Sequence, residues 1–276
     1  MSNVVYRPLL EKLGATNVND FVGNEGEVFW DPEVGDLRFS DGVTPGGIPL
    51  TGGTPTPWVR PTDWLAMPTV LDTEEKFVGL FAVYDAPENF IALYFEGDYT
   101  VDWGDGNVEN FSSGDKAQHS YAWGDISSST LTTDGYRQVL VTVTPQVGSN
   151  LTKMDLGVRH DNVNLYWNFL STPFLDITVS MPNADTGTSI IIGYYGSINQ
   201  NNYPSLSEIK KIHIVNAGGM TNFSEYFSNF PSLRSVIIDK SPNADNFSFL
   251  FSYCYSLTDV VLSDTSSVTD MNNMFY

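Results

Sequence analysis

Apolar residues recur at i, i+3 and i+5 through the second half of the chain: Leu151, Met154, Leu156; Phe174, Ile177, Val179; Ile209, Ile212, Ile214; Leu233, Val236, Ile238; Leu257, Val260, Leu262. The last two members of each triplet are two apart, so on an extended strand they point to the same face. The first members stand 23, 35, 24 and 24 residues apart. The same 24-residue step carries Phe223 to Phe247 and on to Met271, and Phe227 to Phe251 and on to Phe275. Each period predicts one strand and one return segment, with coils stacked so that neighbouring strands bury a continuous core. The longer step holds about 11 extra residues, assigned to a loop between Asn183 and Asn202.

Upstream the period changes to that of an antiparallel sandwich. KFVGLFAVY and NFIALYF, between Lys76 and Phe95, are apolar on both faces. In YTVDWGDGNVENF the residues Tyr99, Val101 and Trp103 share one face, and Asp105-Gly106 is a strong hairpin turn signal. RQVLVTVTP alternates Val139, Val141 and Val143 with Leu140, Thr142 and Thr144. Before this lies a segment stiffened by Pro49, Pro55, Pro57, Pro61 and Pro68. Its Trp58, Trp64 and Leu65 are too apolar for a free linker and are expected to staple it to the neighbouring sandwich.

The first 55 residues are rich in turns. Val28, Phe29 and Trp30 precede a turn ending at Gly35; Leu37 and Phe39 then alternate with polar residues, and Asp41-Gly42 and Pro45-Gly46-Gly47 come next. A β-hairpin is predicted, too small to stand alone and in need of a partner chain to cover its edges. The expected fold class is mainly β, in four parts. Residues 1–55 form an anchoring or oligomerisation module, 56–75 a proline-rich linker packed on the next domain, 76–149 a β-sandwich and 150–276 the repeats. The last unit breaks off at Met274-Phe275-Tyr276, so the expectation is that the natural chain continues or that something else caps the end.

Composition narrows the function. With 13 basic against 33 acidic residues, a net charge of −20, binding to a nucleic-acid backbone is disfavoured, as is docking to an anionic membrane. No run approaches the length of a membrane span, and the first residues lack the pattern of a signal peptide. Cys254 is the single cysteine, which excludes an intrachain disulfide; a small buried hydrophobe explains it better than a reactive thiol. Of three histidines, His119 lies in the sandwich motif, His213 alternates with core isoleucines, and His160 sits in Arg159-His160-Asp161. Adjacency in sequence does not make a triad, and no nucleotide, zinc or hydrolase motif is present. No enzyme is expected. Asp102, Asp105, Asn107 and Glu109 could collect calcium, but their spacing is not that of an EF-hand loop. No cofactor is assigned, calcium being the one candidate.

Three resemblances rest on these residues. YTVDWGDG, His119-Ser120-Tyr121 and the valine-rich strand resemble a PKD-type immunoglobulin-like domain, in which Asp102, Trp103, Gly104, Asp105, Gly106, His119 and Tyr121 would be framework residues. NFSFLFSYCYSLTDVVLSDTSSVTDMNNMFY is similar to BspA-type leucine-rich repeats. Residues 26–47, with Gly26, Glu27, Phe29, Asp31, Gly35, Leu37, Arg38, Ser40, Asp41, Gly42, Thr44, Pro45, Gly46 and Gly47, resemble a module of phage receptor-binding and tail-fibre proteins; Trp30 and Phe39 belong to the same anchoring stretch. Together they imply a virion location, a tail fibre or similar appendage, attachment to other virion proteins through the N-terminal module, a homotrimer, and repeats offered to a host-surface receptor. Neither nucleic acid nor membrane insertion is implied. A capsid or neck fibre or decoration protein, a bacterial surface adhesin, and a tail-associated depolymerase with its catalytic part elsewhere remain open. Tyr194, Tyr195, Tyr226 and Tyr255 are candidate contacts, since tyrosine offers rigid area with a polar tip, and equally candidates for packing between coils.

Overall fold

The computed structural model describes residues 20–31, 36–49, 58–86, 89–162, 174–192, 208–228 and 230–276. The chain divides into two compact units, Met1–Pro57 and Trp58–Tyr276. Among the described residues the regular structure is β, with two single-turn 3-10 helices and no α-helix. The fold is therefore mainly β, as the pattern of short alternating runs predicts.

In the first unit β1 (Val28–Asp31), β2 (Asp36–Phe39) and β3 (Ile48–Pro49) form an antiparallel sheet in that order. Val28 stands opposite Phe39, which stands opposite Ile48. Gly47 follows from a close approach: its φ is +62°, and a Cβ there would lie 2.7 Å from the Phe39 carbonyl oxygen and 2.8 Å from the Phe29 ring. Gly35 and the side chain of Trp30 lie outside the described residues.

Among its described residues the second unit has two sheets. The larger has β7 (Val108–Phe111), β6 (Tyr99–Asp102), β9 (Arg137–Pro145), β4 (Lys76–Val83), β11 (Phe174–Ser180), β13 (Lys211–Asn216), β14 (Ser235–Ile238) and β15 (Asp259–Leu262) side by side. The smaller has β12 (Ile190–Ile191), β10 (Lys153–Asp155), β5 (Phe90–Glu96) and β8 (Lys116–Ser120). One core draws on both: Phe77, Phe81, Ile91, Phe95, Trp103, Val141, Met154, Phe174, Ile212 and Val236 are all fully buried. Phe174 packs edge-on against Phe77 and Phe81 at 5.5 and 5.7 Å, geometry worth about 0.5–1.5 kcal/mol per pair beyond burial. Gly79 makes room for it, because a Cβ there would lie 2.3 Å from the Phe174 ring.

The larger sheet changes character at β11. On one side β11 runs antiparallel to β4; on the other, β11, β13, β14 and β15 are all parallel. Ile212, Val236 and Val260 stand in one row and Ile214, Ile238 and Leu262 in the next, so the 24-residue step is a step of one strand. Residues 149 and 150 lie within this unit, and strands from before and after them stand side by side in both sheets, β4 with β11 and β5 with β10, around one core. The triplet Leu151, Met154, Leu156 is buried, but its strand β10 belongs to the smaller sheet, where it pairs with β5 and β12. The i, i+3, i+5 pattern reports a buried face, and both sheets bury their faces in the same core.

The proline-rich segment from Trp58 onward belongs to this second unit and covers the outer face of the larger sheet. Trp64 packs with Leu80, Ala82, Tyr136 and Leu175, and Val70 with Val78 and Val215. This explains why β4 is apolar on both faces: Phe77, Phe81 and Val83 face the core while Val78, Leu80 and Ala82 face the strap. Polar bonds fix the strap at both ends. The Trp58 N–H donates to Asp259 (3.0 Å), Arg60 Nε to buried Asp176 (2.7 Å), the Trp64 indole to the Tyr136 hydroxyl (2.8 Å), and Asn216 to the Asp72 carbonyl (2.9 Å). Lys240 pairs with Asp72.

Candidate functional site

The turn after β6 gathers the motif residues into one cluster. Gly104 and Gly106 both have positive φ, +80° and +100°, which glycine adopts at little cost. The Asp102 carboxylate accepts from the Gly104 N–H (2.9 Å), and Asp105 accepts from the Asn107 N–H (3.0 Å). The second Asp105 oxygen lies 2.7 Å from His119 Nε2. The His119 ring stacks on Trp103, centroids 4.9 Å apart at 14°. The Trp103 indole donates to Glu109 (2.7 Å), and the Tyr121 hydroxyl donates to the Trp103 carbonyl (2.8 Å). Burial opposes the charge on Asp105, yet the hydrogen bonds from Asn107 and His119 outweigh it and hold its pKa below the ordinary value. Burial drives the Tyr121 hydroxyl well above its ordinary value.

Each of these side chains thus makes at least one hydrogen bond to another member or to the turn. Asp102, Asp105 and Glu109 point their oxygens at three different donors, and among the described residues no three His, Cys, Asp or Glu side chains are grouped to hold a metal ion. Beside the motif lies an open cleft of about 550 Å³ lined by Asp102, Asp105, Asp125, Val139 and Leu140 among others.

The other singled-out residues also serve local structure. His160 is buried and stacks on Phe90 (4.7 Å, 15°); desolvation lowers its pKa. Its neighbour Asp161 pairs with Lys116 and Gln118, docking the Arg159-His160-Asp161 run on β8. His213 lies 2.6 Å from Asp239. Cys254 donates its thiol to the Phe227 carbonyl (2.8 Å), and burial pushes its pKa up to about 11. In the ladder Ile209, Ile212, Ile214, Leu233, Val236 and Ile238 are buried, while Leu257, Val260 and Leu262 are partly buried against the same core. Of the candidate contact tyrosines, Tyr255 is 82% exposed, but Tyr226 is buried against Phe223 and Phe227, so it is a packing residue. Tyr194 and Tyr195 lie outside the described residues.

Two features of the ladder escaped the apolar pattern. Asn222, Asn246 and Asp270, 24 residues apart, bridge one another in a row. Each side chain caps the N–H two residues on, at 2.8, 2.9 and 2.9 Å. Three residues beyond each, Glu225, Phe249 and Asn273 take positive φ of 58°, 54° and 51°. Each coil therefore turns at the same left-handed residue, and the Phe223 and Phe247 amides reach the next coil at 2.9 and 2.7 Å. The repeated Asn-Phe-Ser at 222–224 and 246–248 is the signal that marks this turn.

No protein-family model, curated protein or solved structure matches the chain.

Proposed function

We propose that the chain is a structural component of a phage virion: a tail fibre or fibre-like appendage, attached to other virion proteins through its first unit. In this reading the antiparallel part of the second unit is a PKD-like spacer, and the parallel part is a BspA-type leucine-rich-repeat array presented to a host-surface receptor. The observation that carries it is the commitment of the motif's polar groups. Asp105, His119, Trp103 and Tyr121 hold one another, which suits a rigid spacer better than a reaction centre. The density of the tail-fibre-like motif over residues 26–47 supplies the virion location, and the same resemblance implies three copies per appendage. The reading assigns no cofactor, nucleic acid or membrane insertion.

Antibodies raised against residues 58–276 and viewed by electron microscopy on purified particles test this. Label on tail appendages supports the reading. Label on the head or neck moves the chain to a capsid fibre or decoration protein. Label confined to the bacterial envelope makes it an adhesin and ends the virion reading.

A further inference from the structure

The sequence holds three Asp-Gly dipeptides, Asp41-Gly42, Asp105-Gly106 and Asp134-Gly135. A glycine after an aspartate leaves the following amide nitrogen unshielded on a backbone that turns freely. In that pairing the main chain can attack the aspartate's own side chain. The fold holds two of the three carboxylates still. Asp41 accepts from the Val43 and Thr44 N–H groups and from the Thr44 hydroxyl, at 2.9, 2.7 and 2.6 Å. Asp105 accepts from the Asn107 N–H and side-chain amide, at 3.0 and 3.1 Å, and lies 2.7 Å from His119 Nε2. The Asp134 carboxylate accepts no hydrogen bond among the described residues. Asp134 and Gly135 are both exposed, and Gly135 has φ +87° with nothing within 4 Å of where a Cβ would stand. One hydrogen bond, from the Gly135 N–H to the Thr132 carbonyl at 3.1 Å, fixes the amide.

We propose that Asp134-Gly135 is a site of spontaneous covalent modification, isomerisation of the aspartate through a cyclic imide, and that the product loosens the strap. The Gly135 nitrogen attacks Asp134 Cγ. The N–Cγ bond forms, a Cγ–O bond breaks, and the amide proton leaves with the carboxyl oxygen as water. Water then adds back to either imide carbonyl. Opening at Cγ restores aspartate; opening at the main-chain carbonyl leaves the chain running through Cγ, with a free α-carboxylate. Mass and net charge are unchanged, but the backbone is one methylene longer. The turn has no slack for it. Its ends, Thr132 and Tyr136, are buried and bonded to each other, Thr132 N–H to the Tyr136 carbonyl at 2.9 Å. Between them the Thr133 N–H and hydroxyl donate to Asp63 of the strap at 2.8 and 2.9 Å, and the Tyr136 hydroxyl takes the Trp64 indole at 2.8 Å. The added methylene sits beside Thr133, so the Asp63 anchor is the contact it displaces.

None of this depends on the virion reading. The full chain is incubated at neutral pH and body temperature, folded and in urea, then digested and mapped by mass spectrometry with electron-transfer fragmentation, which distinguishes isoaspartate from aspartate. At Asp41 and Asp105 the hydrogen bonds must be released before attack, so the folded chain should convert about tenfold or more faster at Asp134. In urea, where the dipeptide alone decides, the three sites should convert at similar rates. Folded conversion at Asp41 or Asp105 as fast as at Asp134 would overturn the proposal. So would an unmodified Asp134 in a folded chain whose unfolded counterpart has converted. Asp134→Glu, whose imide ring is larger and closes far more slowly, isolates the consequence. The aged parent should unfold at lower urea than the fresh one, while aged Asp134→Glu keeps its midpoint. An aged parent with isoaspartate at 134 and an unchanged midpoint would overturn the link to the strap.

Discussion

If the strap is part of the second unit's core, Trp64→Ala destabilises that unit as a core substitution does. Trp64 is 7% exposed and packs on Leu80, Ala82, Tyr136 and Leu175, with its indole N–H 2.8 Å from the Tyr136 hydroxyl. Truncating a buried aromatic to alanine costs about 3–5 kcal/mol. The loss also strips the hydroxyl of its partner, within a total stability on the order of 5–15 kcal/mol. Tyr136→Phe isolates the polar part, leaving a buried N–H unpaired at about 1–3 kcal/mol. Val59, five residues away and 74% exposed, provides the control: Val59→Ala should change stability by no more than about 0.5 kcal/mol. Urea unfolding read by tryptophan fluorescence and by circular dichroism measures all three. The expected outcome is a lower midpoint for Trp64→Ala with both probes still coincident. Equal midpoints for Trp64→Ala and Val59→Ala, or an early fluorescence step with the sheet signal intact, would show that the strap merely rests on the sheet.

Three further outcomes concern single sites. Asp105 has a folded pKa below its ordinary value, so its contribution is present above the unfolded value and is lost as pH falls through the folded one; Asp105→Asn should flatten that acid limb of the stability curve, and an unchanged limb would mean the His119 and Asn107 bonds do not form. Cys254, with a pKa of about 11 and a buried thiol, should react with maleimide at pH 8 far more slowly than the unfolded chain, and equal rates would contradict its packing against Phe227. Glu225 is exposed at φ 58°, a conformation costing an ordinary L-residue about 1–2 kcal/mol; Glu225→Asn should therefore stabilise the ladder by up to about 1 kcal/mol, and a lower melting temperature would argue against the left-handed turn.

The chain's own pattern determined what is local. The 24-residue phase, the inward positions Ile212, Val236 and Val260, the turn at Asp105-Gly106 and the stapling tryptophans are properties of short segments, since strand periodicity and turn chemistry act over a few residues. Position in space was another matter. Nothing near Leu151 distinguishes a strand of the smaller sheet from a rung of the ladder, because both bury the same triplet. Tyr226 reads equally well as a surface contact or as packing between coils until Phe223 and Phe227 close on it. Arg38 and Asp31 stand among apolar neighbours on short strands, and only the folded chain pairs them and buries the carboxylate. Only the tertiary structure decided that β4 pairs with β11, so that an antiparallel sheet continues into a parallel one beneath the strap. Such a pairing joins residues about a hundred positions apart, and its free energy comes from burying both faces of β4 at once, which no window of sequence contains.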